Sequence, residues 1–294
     1  MRLILLLLCT LAVTGCVRHL GAPEGEPPAL PDYDVTVIED RVYTPDEWPQ
    51  ALHADIYRPA PSGRYPAVLM VHGGGWERRS PEDTAELSRR LAEQGFVVVN
   101  IEYRFAPEYT FPAQLHDLQM AMRWLHVHAD DYRIDRSRVG AWGYSSGAHL
   151  VTLLATVAAD AENPLNEPYG GPVTRPRAVV AGGTPTDLRK FEGGTLVPQF
   201  LGGPQASNAA TYAAASPITH VTPDTPPHLL YHGTLDSVVP VDHAQDYRTA
   251  LNANGVDNEL LLLRGKGHVA AFLFGGAAEN AGAAFLARTL TPAH

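Results

Sequence analysis

A chain of 294 residues that is 45% hydrophobic and 18% charged has the apolar content for one large core and lies far from the composition of disordered proteins. It carries 22 Lys and Arg against 32 Asp and Glu. The resulting formal net charge of −10, with no basic cluster, argues against nucleic acid or an anionic membrane face as a partner.

At the N-terminus, Arg2 precedes an apolar run from Leu3 to Val13. That run is about half of the ~20 residues needed to span a bilayer, so it has the length of a signal-peptide core. It stops at Val13-Thr14-Gly15-Cys16, which resembles the bacterial lipobox, where a small residue precedes the cysteine that receives the lipid. Only two cysteines occur, and Cys9 would leave with the signal peptide, so Cys16 would be a lone exported thiol unless it is modified. The expectation is a lipoprotein signal peptide over residues 1–15 and lipidation at Cys16. The protein would then be exported and anchored to the cell envelope, its membrane association running through that lipid. Residues 16–32, with Pro23, Pro27, Pro28 and Pro31, are expected to form a semi-extended tether, and a single domain is expected over 33–294.

Within that domain, Val35–Ile38 and Leu52–Tyr57 have the β-branched and alternating character of strands, with antiparallel pairing expected at this edge. Ala67–Val71 and Phe96–Ile101 are dense apolar runs suited to strands buried on both faces. Between them, Pro81–Gln94 has helical composition and ends at Gly95. A second helix starts near Pro112, with Leu115, Leu118, Met122 and Leu125 on one face. The short strand Val139–Trp142 runs into Gly143-Tyr144-Ser145-Ser146-Gly147, followed by an apolar helix over Ala148–Ala158. Further strands are expected at Ala178–Ala181, Leu229–Tyr231 and Leu260–Leu263, with helices after the last two. Strands alternating with helices predict an α/β fold with a mostly parallel sheet covered on both faces. The Gly- and Pro-rich stretch from about 182 to 228 is too long for a simple crossover and predicts a small lid insertion.

Three motifs carry chemistry. Gly143–Gly147 is a G-x-S-x-G between a strand and a helix, where a sharp turn exposes the central serine, Ser145. His72-Gly73-Gly74-Gly75-Trp76 follows a buried strand, and its glycines let backbone N–H groups approach a substrate oxygen. Gly73 and Gly74 are the expected donors, joined by the N–H of Ser146. Asp236 lies just past the Leu229–Tyr231 strand, and His268 follows the last strand through a glycine-flanked loop. The chain order Ser145, Asp236, His268 is the order in which an α/β-hydrolase presents nucleophile, acid and base. Trp76 and Tyr144 are candidate substrate-pocket residues. No metal-ligand framework, G-x-G-x-x-G or Walker loop is present, so neither a metal nor any other cofactor is expected.

These motifs resemble, in combination, the hormone-sensitive-lipase-like esterases of the α/β-hydrolase fold. They are closest to the bacterial group that includes bifunctional feruloyl and acetylxylan esterases. Besides the segments above, Ala148-His149, Glu102–Glu108, Phe111-Pro112-Ala113-Gln114, Phe200-Leu201-Gly202-Gly203, Ser216-Pro217-Ile218 and His232–Asp236 carry the resemblance. It implies a serine-dependent carboxylic-ester hydrolase acting through an acyl-enzyme on small-molecule esters, either short-chain or carbohydrate-linked. The alternatives are a longer-chain lipase, an arylformamidase-like amidase and an inactive binding protein. Ser146 stands where that family commonly has alanine, and Ala148 where a second glycine is common. No large helical cap fits before His72, which favours short acyl groups.

Overall fold

The computed structural model describes residues 17–290. The apolar run, the lipobox and Cys16 lie outside the described residues.

Nine strands form one sheet: β1 (Val17–Leu20), β2 (Val35–Val42), β3 (His53–Pro59), β4 (Tyr65–Val71), β5 (Val97–Ile101), β6 (Ile134–Tyr144), β7 (Val179–Gly182), β8 (His228–Gly233) and β9 (Asn258–Leu263). Their order is β1-β9-β8-β7-β6-β4-β5-β3-β2. The six central strands β9-β8-β7-β6-β4-β5 run parallel, while β3 and β2 close one edge antiparallel, as the N-terminal alternation predicts. Among the described residues eight helices accompany them, six between strands and two after β9: α1 (Ala85–Glu93), α2 (Ala113–Val127), α3 (Ser146–Ala159), α4 (Leu196–Leu201), α5 (Gln205–Ala214), α6 (Asp242–Ala253), α7 (His268–Leu273) and α8 (Gly276–Thr289).

Period-2 alternation sends successive side chains of each strand to opposite faces. In β4, Ala67, Leu69 and Val71 enter one core with α2, α3 and α6. Val68 and Met70 enter a second core with α1 and α8. Both faces are covered, which is why the central strands are continuous apolar runs. The segment between β7 and β8 forms the expected small insertion, built from α4, α5 and short 3₁₀ turns. This is the α/β-hydrolase fold.

The tether expected over 16–32 differs in its first residues. Val17–Leu20 is not free but pairs antiparallel with β9, Val17 lying opposite Leu263 and Leu20 opposite Leu260. The physical reason is that β9 would otherwise be an unpaired edge, and any short extended segment can satisfy its backbone groups.

Candidate active site

The C-terminal ends of the parallel strands gather the sequence-predicted residues on one face, as open α/β sheets do. Ser145 sits between β6 and α3 with φ 53° and ψ −121°, a left-handed backbone that a non-glycine residue adopts only when its surroundings enforce it. Two close approaches enforce it here. A Cβ on Gly147 would lie 2.2 Å from the Val71 carbonyl oxygen, and one on Gly143 would lie 2.4 Å from the Gly147 carbonyl carbon. Only glycine fits at either position, so α3 packs directly against β4 and pushes Ser145 outward.

His268 opens α7 and places its Nε2 2.9 Å from the Ser145 hydroxyl. Its Nδ1 lies 2.6 Å from Asp236 Oδ2. With that carboxylate accepting from Nδ1–H, the Nε2 lone pair faces the serine. The other Asp236 oxygen accepts the backbone N–H groups of Val238 (2.9 Å) and Val239 (2.8 Å). Burial alone would raise the Asp236 pKa. The hydrogen bonds from His232, His268 and the Val239 backbone outweigh it and hold the carboxyl far below the usual aspartate range. The two loops bearing Asp236 and His268 are themselves joined, since Leu235 N–H donates to the Lys266 carbonyl (2.9 Å) and Thr234 N–H to the Leu263 carbonyl (3.1 Å).

Gly73 packs beside the serine: a Cβ there would lie 3.4 Å from Ser145 Cβ. The N–H groups of Gly73 and Gly74 have no protein acceptor among the described residues. Ser146 begins α3, so its N–H has no helical partner either. Gly74 and Gly75 take φ of 123° and 66°, which turns the loop back over the serine. The arrangement offers an activated hydroxyl, a base and free donors around one point, the requirements of acyl transfer.

A cleft of about 460 Å³ opens at Ser145, walled by Gly73–Gly75, Arg78, Arg79, Tyr144, Val238, Phe272 and Leu273 among others. A smaller apolar cavity of about 200 Å³ lies on the insertion side of the serine, lined by Trp76, Phe191, Leu196, Val197 and Val239 among others. Both sequence-nominated pocket residues therefore border the site, but each also has a scaffolding bond. Tyr144 donates its hydroxyl to the His268 carbonyl (2.6 Å). Trp76 is buried, stacks on Phe200 at 4.6 Å and donates Nε1–H to His149 Nδ1 (3.2 Å).

Sequence reasoning missed three supporting side chains. His149 anchors Trp76 and, through Nε2–H, donates to the Ala215 carbonyl (2.7 Å), so it ties α3 to the insertion. Tyr103 stacks on His72 at 4.6 Å, and its hydroxyl lies 3.3 Å from Ser146 Oγ. His232 Nε2 donates to the Val239 carbonyl (2.8 Å) and lies 3.4 Å from Asp236 Oδ2. All three fall inside the segments that carry the family resemblance, which was the available signal.

The BD-FAE family profile matches residues 54–251, about two thirds of the chain. The chain belongs to the BD-FAE family. This BD-FAE chain is 30% identical to the probable carboxylic ester hydrolase LipM of Mycobacterium tuberculosis, over 68% of this chain and 49% of LipM. It is also 30% identical to esterase LipC of the same organism, over 79% of this chain and 60% of LipC. The chain thus spans only about half the length of the relatives it matches. A solved structure described as a truncated form of a carbohydrate esterase from gut microbiota superposes with a TM-score of 0.79 at 24% identity. The match covers 91% of this chain and all of that one and shows the shared fold.

Proposed function

We propose that this protein is a serine carboxylesterase that hydrolyses short-chain or carbohydrate-linked acyl esters through an acyl-enzyme at Ser145. The reading rests on one observation above all: the unbroken hydrogen-bonded series Asp236–His268–Ser145, with the serine on a strained turn facing a cleft. His268 takes the Ser145 proton as the hydroxyl oxygen attacks the ester carbonyl, and Asp236 stabilises the imidazolium that forms. The N–H groups of Gly73, Gly74 and Ser146 receive the developing oxyanion. The imidazolium then gives its proton to the departing alcohol, and a water activated by His268 releases the acid. LipM and LipC, described as an ester hydrolase and an esterase, support the reaction class.

Short acyl groups are favoured because the apolar cavity beside the serine holds only about 200 Å³ and is lined by the bulky Trp76, Phe191 and Leu196. The test joins labelling to a substrate series. Ser145→Ala should abolish both reaction with a fluorophosphonate and hydrolysis of nitrophenyl acetate, and the unaltered enzyme should show kcat/KM falling beyond butyryl. Labelling that survives in Ser145→Ala overturns the assigned nucleophile. A kcat/KM that rises steadily past octanoyl replaces the short-chain reading with a lipase. We also propose that Cys16 carries a lipid and that the protein is held at the cell envelope, on the strength of the Val13–Cys16 sequence.

A further inference from the structure

Five of the eight exposed large apolar side chains among the described residues lie on the Asp236 loop or on α7 and its C-cap, the helix that His268 opens: Leu235, Val238, Val269, Leu273 and Phe274. Substrate binding accounts for some of this exposure, since Val238, Val269 and Leu273 wall the cleft. It does not account for Leu235 and Phe274, which are 67% and 69% exposed and line no part of it. The segments are held side by side, because Leu235 N–H bonds the Lys266 carbonyl and the Lys266 ammonium donates to the Phe274 carbonyl, while Val238, Val269 and Leu273 share one cleft wall. Contiguous exposed apolar surface at one end of a domain marks a contact with something apolar.

Two further observations say what that is. The net charge of −10 argues against an anionic membrane over the surface as a whole, but the fold gathers cations locally at the patch: Arg264 and Lys266 in the loop before His268, and Arg78 and Arg79 across the cleft. Arg78 and Arg79 each form one loose ion pair, with Glu77 and Asp83 at 3.6 Å, and both side chains are largely exposed. The second observation is where the chain enters. β1 runs antiparallel to β9, so Val17 lies opposite Leu263, immediately before Arg264. Val17, the first described residue, therefore enters the domain at the same end of the sheet as the patch. No helix among the described residues is long and apolar enough to cross a membrane, so contact here is at a surface.

We propose that this face docks on a phospholipid bilayer with anionic headgroups, so that the mouth of the Ser145 cleft opens toward the membrane. Phe274 and Leu235 enter the headgroup boundary, and the Arg and Lys side chains pair with lipid phosphates. The docking surface does not depend on the esterase reading, which enters only through the activity control.

The chain from Val17 onward holds all nine strands and both core clusters and has no cysteine, so a single one can be introduced. Phe274→Cys carrying an environment-sensitive fluorophore should shift its emission to the blue on vesicles of phosphatidylglycerol and phosphatidylcholine. Val127→Cys, at the far end of α2 near the start of β6, should not. Phe274→Ser combined with Leu235→Ser should weaken vesicle partition about tenfold or more while hydrolysis of soluble nitrophenyl acetate is unchanged. No shift at position 274, equal shifts at both positions, or binding to insoluble acetylated xylan without binding to vesicles overturns the proposal. Failure of the unaltered chain to hydrolyse nitrophenyl acetate sinks the esterase reading instead, and the vesicle measurement still decides docking.

Discussion

Asp236 divides its acceptors: one oxygen takes two backbone N–H groups and the other takes the histidine. The backbone bonds fix the carboxylate plane before substrate arrives, so the imidazole is oriented by a group that cannot itself swing. Asp236→Asn keeps the shape but can turn an N–H toward Nδ1, leaving the wrong tautomer against Ser145; kcat should fall by about 10⁴. A fall of less than about tenfold would mean that another group orients His268. At Ser146 the departure from the family pattern leaves the backbone donor in place. Its hydroxyl meets Tyr103, while the donor aimed at substrate is the backbone N–H, which alanine would also supply. The three reacting side chains could be found in the sequence because each follows a strand in a fixed order. The roles of Tyr103, His149 and His232 were not legible, because a buried polar side chain is assigned by what it bonds: Ser146 and Trp76 lie far from Tyr103 and His149 in sequence, and the loop that brings Val239 back to His232 carries no pattern of its own.

At the scale of elements, the β6–Ser145–α3 turn is a packing device. Gly147→Ala would drive a methyl into the Val71 and His72 carbonyl oxygens, at 2.2 and 2.4 Å, and should prevent folding or abolish activity. Ala148→Gly, one residue on, restores the glycine common in the family and should cost only about 1–2 kcal/mol through helix propensity and a lost buried methyl. Thermal unfolding of the two variants separates them, and equal loss in both would contradict the steric account. The central strands and the helices between them were legible because buried apolar runs and 3.6-residue periodicity are strong signals. β1 was not. Val17-Arg18-His19-Leu20 has no apolar alternation and stands among prolines and glycines, and what makes it a strand is the free edge of β9.

The whole molecule carries its own pH sensor in histidines it does not use for chemistry. Burial, partly offset by hydrogen bonds to backbone carbonyls, lowers the pKa of His149 and His228 to about 4. Folded, both stay neutral down to that value, whereas in the unfolded chain they protonate below about 6.5. Between these limits the unfolded state binds more protons, so stability falls as pH drops from about 6.5 to about 4, by up to about 3 kcal/mol per histidine. Urea unfolding at pH 7.5, 6 and 5 checks this, and a flat profile would contradict it. Anchoring is checked in cells: Cys16→Ser should lose metabolic labelling by palmitate and leave the membrane fraction, and unchanged fractionation would remove the lipid reading. With a lipid on Cys16, the pairing of Val17 with Leu263 acquires a meaning for transport. A long leash would let the enzyme sweep a volume of periplasm or medium; a strand that begins one residue after the anchor lets it sweep only a plane. Its encounters with substrate would then be set by two-dimensional diffusion, and an ester held well above the membrane would lie out of reach however abundant it was.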